Sequence, residues 1–197
     1  MKIVAVSQRV DVHPERREIR DALDQRLAMF IAASGGLTVS VTNTLLATDS
    51  LGQWLSLLQP VAIVLSGGND VGQFPERDLT EQRMLDHAKA NGLPVLGICR
   101  GMQMIGMWAG AELKPVAGHV CTRHRLAGEI TGRANSYHNY ALSECPSGFT
   151  VLARSEDGEI EAIRHNSLPW EGWMWHPERE ENFQSRDIQR LKELLGE

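Results

Sequence analysis

Pro94-Val-Leu-Gly-Ile-Cys99-Arg-Gly-Met-Gln103 places one cysteine where an apolar strand breaks into a helix. Val95, Leu96 and Ile98 read as a buried strand, and Gly97 and Gly101 flank the cysteine closely. Small neighbours let a nucleophile occupy a strained strand-to-helix turn. There the thiol faces the first free N–H groups of the helix, whose partial positive charge favours thiolate. A lone cysteine on an apolar strand is more often a small core residue. Cys99 is read as a candidate nucleophile because of what the rest of the chain supplies: a base, a group to orient it and an oxyanion site.

On the N-terminal side of this turn, strand and helix patterns alternate. Residues 2–7 are an apolar strand. His13-Pro14 leads into a predicted helix over about 15–33, with Ile19, Leu23, Leu27 and Phe30 on one face. Gly35-Gly36 stops it, and 37–43 is a second strand. A short helix over 51–58 ends before Pro60, and 61–65 is a continuously apolar third strand. Residues 78–90 form a helix with Leu79, Met84, Leu85 and Ala88 inward, closed by Asn91-Gly92. This order predicts an α/β fold, a doubly wound, mostly parallel central sheet with flanking helices. In such sheets ligands collect at the carboxyl ends of the strands, which is where Cys99 lies.

From about Ala111 the pattern shifts to a short-stranded β region in the C-terminal half, with strands expected over 129–133, 149–155, 160–165 and 173–175. Glu156-Asp-Gly158 has hairpin chemistry. Residues 185–195 read as a closing helix with Ser185 as its cap and Ile188, Leu191 and Leu195 on one side. The 197 residues fit a single domain, with no repeat or linker.

Composition excludes several classes of function. A net charge of −5 leaves no electrostatic footprint for nucleic acid. No apolar run approaches the ~20 residues of a membrane span, and the N-terminal residues read as a strand, not a signal peptide. Three cysteines without a framework argue for a reducing compartment, with cytoplasm as the expected location.

The demand made by Cys99 is met near the end of the chain, at Trp175-His176-Pro177-Glu178. A histidine and a glutamate two apart share one side of an extended segment. Glu178 can hold the imidazole and favour its charged form, and His176 can take the thiol proton and return it to a leaving amine. Ser66-Gly67-Gly68-Asn69-Asp70, directly after the third strand, offers exposed backbone N–H groups for an oxyanion, with Arg100 N–H as a second donor.

Gly97-Ile-Cys99-Arg-Gly101-Met-Gln103, Ser66-Gly-Gly68 and Trp175-His-Pro-Glu178 resemble, in order and spacing, the three signatures of the class I glutamine amidotransferase family. The resemblance covers essentially the whole chain and implies the family's flavodoxin-like fold. It implies a triad of Cys99, His176 and Glu178 that attacks a γ-glutamyl amide carbonyl through a thioester, with backbone oxyanion donors at Gly68 and Arg100. Gln103 matches a glutamine that contacts the γ-glutamyl group. Asn135-Ser-Tyr-His138-Asn-Tyr-Ala-Leu142 resembles the segment receiving the amino-acid end, with Ser136, Tyr137 and Asn139 as substrate candidates and His138 as structural.

Arginine after the cysteine is similar to the γ-glutamyl hydrolase branch. Ser7-Gln-Arg9-Val, the 18–26 segment and Gly118-His-Val-Cys-Thr-Arg-His124 resemble a smaller group within it, the γ-glutamyl-CDP-amidate hydrolases of capsule phosphoramidate synthesis. The resemblance implies no cofactor and a small-molecule γ-glutamyl substrate. A glutaminase feeding ammonia to a synthase partner, a non-catalytic binding module on the same fold, and a homo-oligomer all stay open.

Other residues carry two readings. Arg9 either reaches the site or pairs with Glu18 or Asp21. Arg123 and His124, with His119 and Arg125, either face an anionic leaving group or form a solvated turn. His119, Cys121 and His124 have a metal-like spacing, but no fourth ligand is near in sequence, Glu129 being the nearest acidic residue downstream. No metal is expected. Trp170, Trp173 and Trp175 read as packing.

Overall fold

In the computed structural model, which describes residues 2–48 and 50–196, the chain runs β1 (Lys2–Ser7), β2 (Arg9–His13), β3 (Glu18–Ala22), α1 (Gln25–Ala33), β4 (Gly36–Val41), α2 (Thr44–Ala47), α3 (Leu51–Leu58), β5 (Ala62–Leu65), α4 (Pro75–Asn91), β6 (Val95–Ile98) and α5 (Arg100–Trp108). It continues through β7 (Leu113–Pro115), β8 (Val120–Gly128), β9 (Gly132–Tyr137), β10 (Tyr140–Leu142), β11 (Phe149–Arg154), β12 (Ile160–His165), β13 (Trp170–Trp173) and α6 (Ser185–Leu194).

Alternation along the strands builds two cores. Val4 and Val6 of β1 pack with Leu27, Phe30 and Ile31 of α1 and Leu191 of α6. Ala5, between them, belongs to the opposite face, with Leu55 of α3, Met84 and Leu85 of α4, and Met102 and Ile105 of α5. Helices therefore cover both faces, as the doubly wound reading requires. The sheet has nine strands in the order β4-β1-β5-β6-β13-β12-β11-β8-β9. Pairings from β4 to β13 are parallel, and those from β13 to β9 are antiparallel.

Register decides where the motifs meet. Leu65 of β5 pairs with Gly97 of β6, and Ile98 pairs with Trp173 of β13. The 66–68 turn, Cys99 and His176 thus leave the carboxyl ends of three adjacent parallel strands. Cys99 N–H donates to the Trp173 carbonyl at 2.7 Å, fastening the two ends together.

Several expectations need correction. The helix predicted over 15–33 is a short 3-10 turn, the hairpin strand β3 and only then α1. Asp24 caps α1, its carboxylate accepting from Arg26 N–H at 2.9 Å. Ile19, assigned to the buried face, is exposed because its strand pairs only with β2. Leu79, expected inward on α4, is also exposed. The strand expected over 129–133 lies later, at β9, since residues 129–131 make the turn from β8. The strand expected over 173–175 is β13, so Met174 onward is free to carry the histidine segment out of the sheet. Ser185 is the first residue of α6, with Gln184 in the cap position.

Candidate active site

Cys99 sits between β6 and α5 with φ 52° and ψ −105°, a backbone conformation that L-residues other than glycine rarely adopt. Such strain persists only where the surroundings impose it. Here Gly97 and Gly101 impose it by close approach: a Cβ on Gly97 would lie 2.5 Å from the Gly101 carbonyl carbon. The cysteine is buried and lies at the positive end of α5.

His176 is buried beside it. Its Nδ1 lies 2.6 Å from Glu178 Oε1. Burial alone would lower the imidazole pKa, but Cys99 and Glu178 outweigh it and hold the group up to about 9. The imidazolium is therefore the resting form at neutral pH. The His176 backbone is held as well. Asn135 accepts from His176 N–H at 2.9 Å and donates to the His176 carbonyl at 2.8 Å and to Glu180 Oε1 at 2.9 Å.

Gly67 supplies the space for the ring, since a Cβ there would lie 2.5 Å from His176 Cε1. Gly67→Ala should push the imidazole off its position and lower kcat by about 100-fold, the cost of a misplacement near 1 Å. KM should change little, and unchanged kcat in steady-state assays would contradict the placement.

The glycine turn is fastened by a side chain that sequence reasoning missed. Arg77 of α4 is fully buried and donates to the carbonyls of Ser66 at 2.8 Å, Gly67 at 3.1 Å and Gly68. Burial draws its pKa down to about 10, so it stays charged at neutral pH. In a trans peptide the carbonyl and the following N–H point in opposite directions. Arg77 on the Gly67 carbonyl therefore turns the Gly68 N–H away from α4, and Gly68 lines the same cavity as Cys99. Arg100 opens α5, so its N–H has no intrahelical acceptor.

The Arg100 side chain turns away from the cavity to Glu81 and Asp78. Glu81 is the hub of this layer. It accepts from Ser7 Oγ at 2.8 Å and Arg77 Nε at 3.1 Å, and Ser7 Oγ accepts from Ser66 N–H at 2.9 Å. No motif marks the hub; the i, i+4 spacing of Arg77 and Glu81 was its one trace in the sequence.

The other sequence-named residues divide into two groups. Gln103, Tyr137, Asn139 and Arg9 line the cavity of about 320 Å³ that holds Cys99 and His176. Gln103 Nε2 donates to the Tyr140 carbonyl at 2.8 Å. Arg9 pairs with Asp11 at 2.8 Å, and not with Glu18 or Asp21. Arg179, not singled out from sequence, also lines the cavity and stacks its guanidinium 4.6 Å from the Tyr137 ring centre. Its position directly after the Trp175–Glu178 motif was the available signal.

Ser136, Arg123 and His124 do not line that cavity. Ser136 is buried, with Oγ donating to the His119 carbonyl at 2.7 Å. Arg123 is drawn to Glu180 at 3.0 Å, and His124 stacks on His119 with ring centres 4.1 Å apart. Arg125 lies with Arg133 and Glu156 at a separate surface cleft. The three tryptophans are fully buried, Trp173 and Trp175 stacked at 5.6 Å.

The profile of the Glutamine amidotransferase class-I family matches residues 18–192. The chain belongs to the class I glutamine amidotransferase family. Within that family, it is 33% identical over 141 residues to γ-glutamyl-CDP-amidate hydrolase of Campylobacter jejuni, covering 68% of this chain and 70% of the relative. It is 30% identical over 154 residues to a glutamine-hydrolyzing GMP synthase subunit of Thermococcus kodakarensis, covering 73% and 80%. The amidotransferase fold matches a solved Thermoplasma acidophilum structure, provisionally assigned as a GMP synthase subunit, with a TM-score of 0.76 at 19% identity. That match covers 100% of this chain and 95% of the other. Among the described residues, no helix is long and apolar enough to cross a membrane.

Proposed function

We propose that this amidotransferase hydrolyses a γ-glutamyl amide through a glutamyl thioester on Cys99. The observation that supports it most is the line of charge from Glu178 through His176 to Cys99 at the strained turn. The Cys99 thiolate attacks the δ-carbonyl carbon, and the oxygen takes the negative charge against the Gly68 and Arg100 N–H groups. As the C–N bond breaks, the proton on His176 goes to the leaving nitrogen. Water then attacks the thioester and gives a proton to His176. Glutamate departs, and the thiolate–imidazolium pair is restored.

The rate should follow the proton on His176. Its raised pKa keeps the acid in place through the neutral range, and the proton is lost as pH rises through about 9. The catalytic rate should fall across that interval in a pH profile; a rate still rising above it would remove His176 as the acid.

The leaving group is an anionic amine, a nucleotide-linked phosphoramidate being the best fit. Arg9 and Arg179 at the cavity wall support this, as does the similarity to a γ-glutamyl-CDP-amidate hydrolase. The similarity to proteins named as GMP synthase subunits and as anthranilate synthase component 2 favours a second reading, a glutaminase serving a synthase. Glutamate release from glutamine, γ-glutamyl-aminobutyrate and a γ-glutamyl nucleotide phosphoramidate separates them. The proposal expects the last to be cleaved fastest by the isolated protein. Turnover of glutamine alone, and only after a synthase is added, would establish the second reading instead.

A further inference from the structure

Beside the Cys99 cavity, three strand regions bring His119, His138 and Glu161 into one buried cluster. His119 precedes β8, His138 follows β9, and Glu161 lies on β12. His119 Nδ1 and His138 Nε2 are 3.2 Å apart. Glu161 Oε1 lies 3.4 Å from the first and 3.6 Å from the second. That oxygen is buried and has no hydrogen-bond partner.

The outer ring nitrogens show which inner atoms carry lone pairs. His119 Nε2 meets Asp157 Oδ2 at 2.8 Å, and His138 Nδ1 meets the Tyr140 carbonyl at 3.0 Å. A carbonyl and an ionised carboxylate accept only, so both outer nitrogens carry the hydrogen. In neutral rings the inner nitrogens are then acceptors, aimed at each other and at a carboxylate oxygen. Two ring nitrogens and a carboxylate oxygen converge there, and the positive charge between them is supplied by a proton on a ring or by a bound cation.

We propose that His119, His138 and Glu161 bind a divalent transition-metal ion of the zinc class. Bonds of 2.0–2.1 Å to a tetrahedral ion put neighbouring ligand atoms about 3.4 Å apart, close to each of the three separations here. His124 offers a ring nitrogen within 4.8 Å of ligand atoms on His119 and Glu161. Imidazole and carboxylate donors without thiolate suit zinc. Asp157 and the Tyr140 carbonyl are the outer partners that ligating histidines ordinarily have. Cys121, between the two histidines in sequence, is exposed and takes no part. The sequence alone hid the set because two of its members come from other strands.

The ion's role is positional. The Tyr140 carbonyl accepts from both His138 and Gln103, and Tyr137, His138 and Asn139 line the Cys99 cavity. Metal at the cluster fixes the 137–140 wall of that cavity without touching the reacting atoms. The proposal does not depend on which amide is cleaved.

The test uses the full-length Cys99→Ser protein, so that the thiol cannot ligate, after chelator treatment. Titration with Zn²⁺ and Co²⁺ should show one equivalent bound, visible absorption bands of tetrahedral Co²⁺, and a Tm raised by several degrees with Zn²⁺. Glu161→Gln, which keeps the side-chain shape, should weaken binding by at least about tenfold. No stoichiometric uptake, meaning that a shared proton occupies the triangle, would overturn the proposal. So would uptake unchanged by Glu161→Gln. If that variant does not fold, the Cys99→Ser titration alone decides.

Discussion

Cys99→Ala should abolish glutamate release, with kcat/KM falling by about 10⁴-fold or more while the protein stays folded. The size follows from chemistry. Without the sulfur no thioester forms, and what remains is the binding and oxyanion contribution to direct attack by water. The fold should be insensitive because Cys99 N–H keeps its bond to the Trp173 carbonyl and alanine can follow the same turn. Glu178→Gln should cost less than loss of His176, since it disturbs the orientation and charge of the imidazole but leaves a ring that can carry the proton. Steady-state assays beside thermal unfolding read both parts. A Cys99→Ala protein that keeps more than a small fraction of activity would remove the nucleophile.

The second large effect is on stability. Glu81→Leu should destabilise the protein by about 3–5 kcal/mol, the usual cost of leaving buried charge without its partner. At this chain length that is a fall in Tm of roughly 6–20 °C. Two guanidinium groups converge on Glu81, those of Arg77 and Arg100, both buried. Burial opposes ionisation of Glu81, but Arg100 and Arg77 together hold its pKa below the ordinary carboxylate value. Asp78 can still compensate Arg100; Arg77 has no second carboxylate within ion-pair reach among the described residues. Arg77 also fastens the 66–68 carbonyls, so the loss should reach kcat through the glycine turn. Denaturant unfolding measures the first consequence. A change under about 1 kcal/mol would mean that the hub is not what holds this layer together.

The site was legible in the sequence to the extent that its members were local. Gly97, Cys99 and Gly101 lie within five residues of one turn, and His176 and Glu178 are two apart on one segment. The alternation of strands and helices before Cys99 was enough to place those motifs at strand ends, because parallel strands joined by helices bring the same ends together. What failed had a physical reason. Ile19, Leu23, Leu27 and Phe30 keep a helical spacing across the β3–α1 boundary, and only the Asp24 cap marks the break. Partners brought in from distant elements left no spacing to read: Asn135 behind His176, Arg77 over the glycine turn, Glu161 against His119. Arg123 and His124 looked free to meet a substrate because Glu180 and His119 are far from them, or oddly turned, along the chain.

The central claim is that Cys99 is an activated nucleophile, and the three cysteines of this chain permit a direct test. Cys99 is buried, Cys121 is exposed, and burial pushes the Cys145 thiol up. An indiscriminate electrophile would therefore favour Cys121. Peptide mass mapping after treatment with a glutamine-analogue electrophile should find one label per chain, on Cys99, and none in His176→Ala protein. Labelling that favours Cys121, or that persists on Cys99 without His176, would contradict the account.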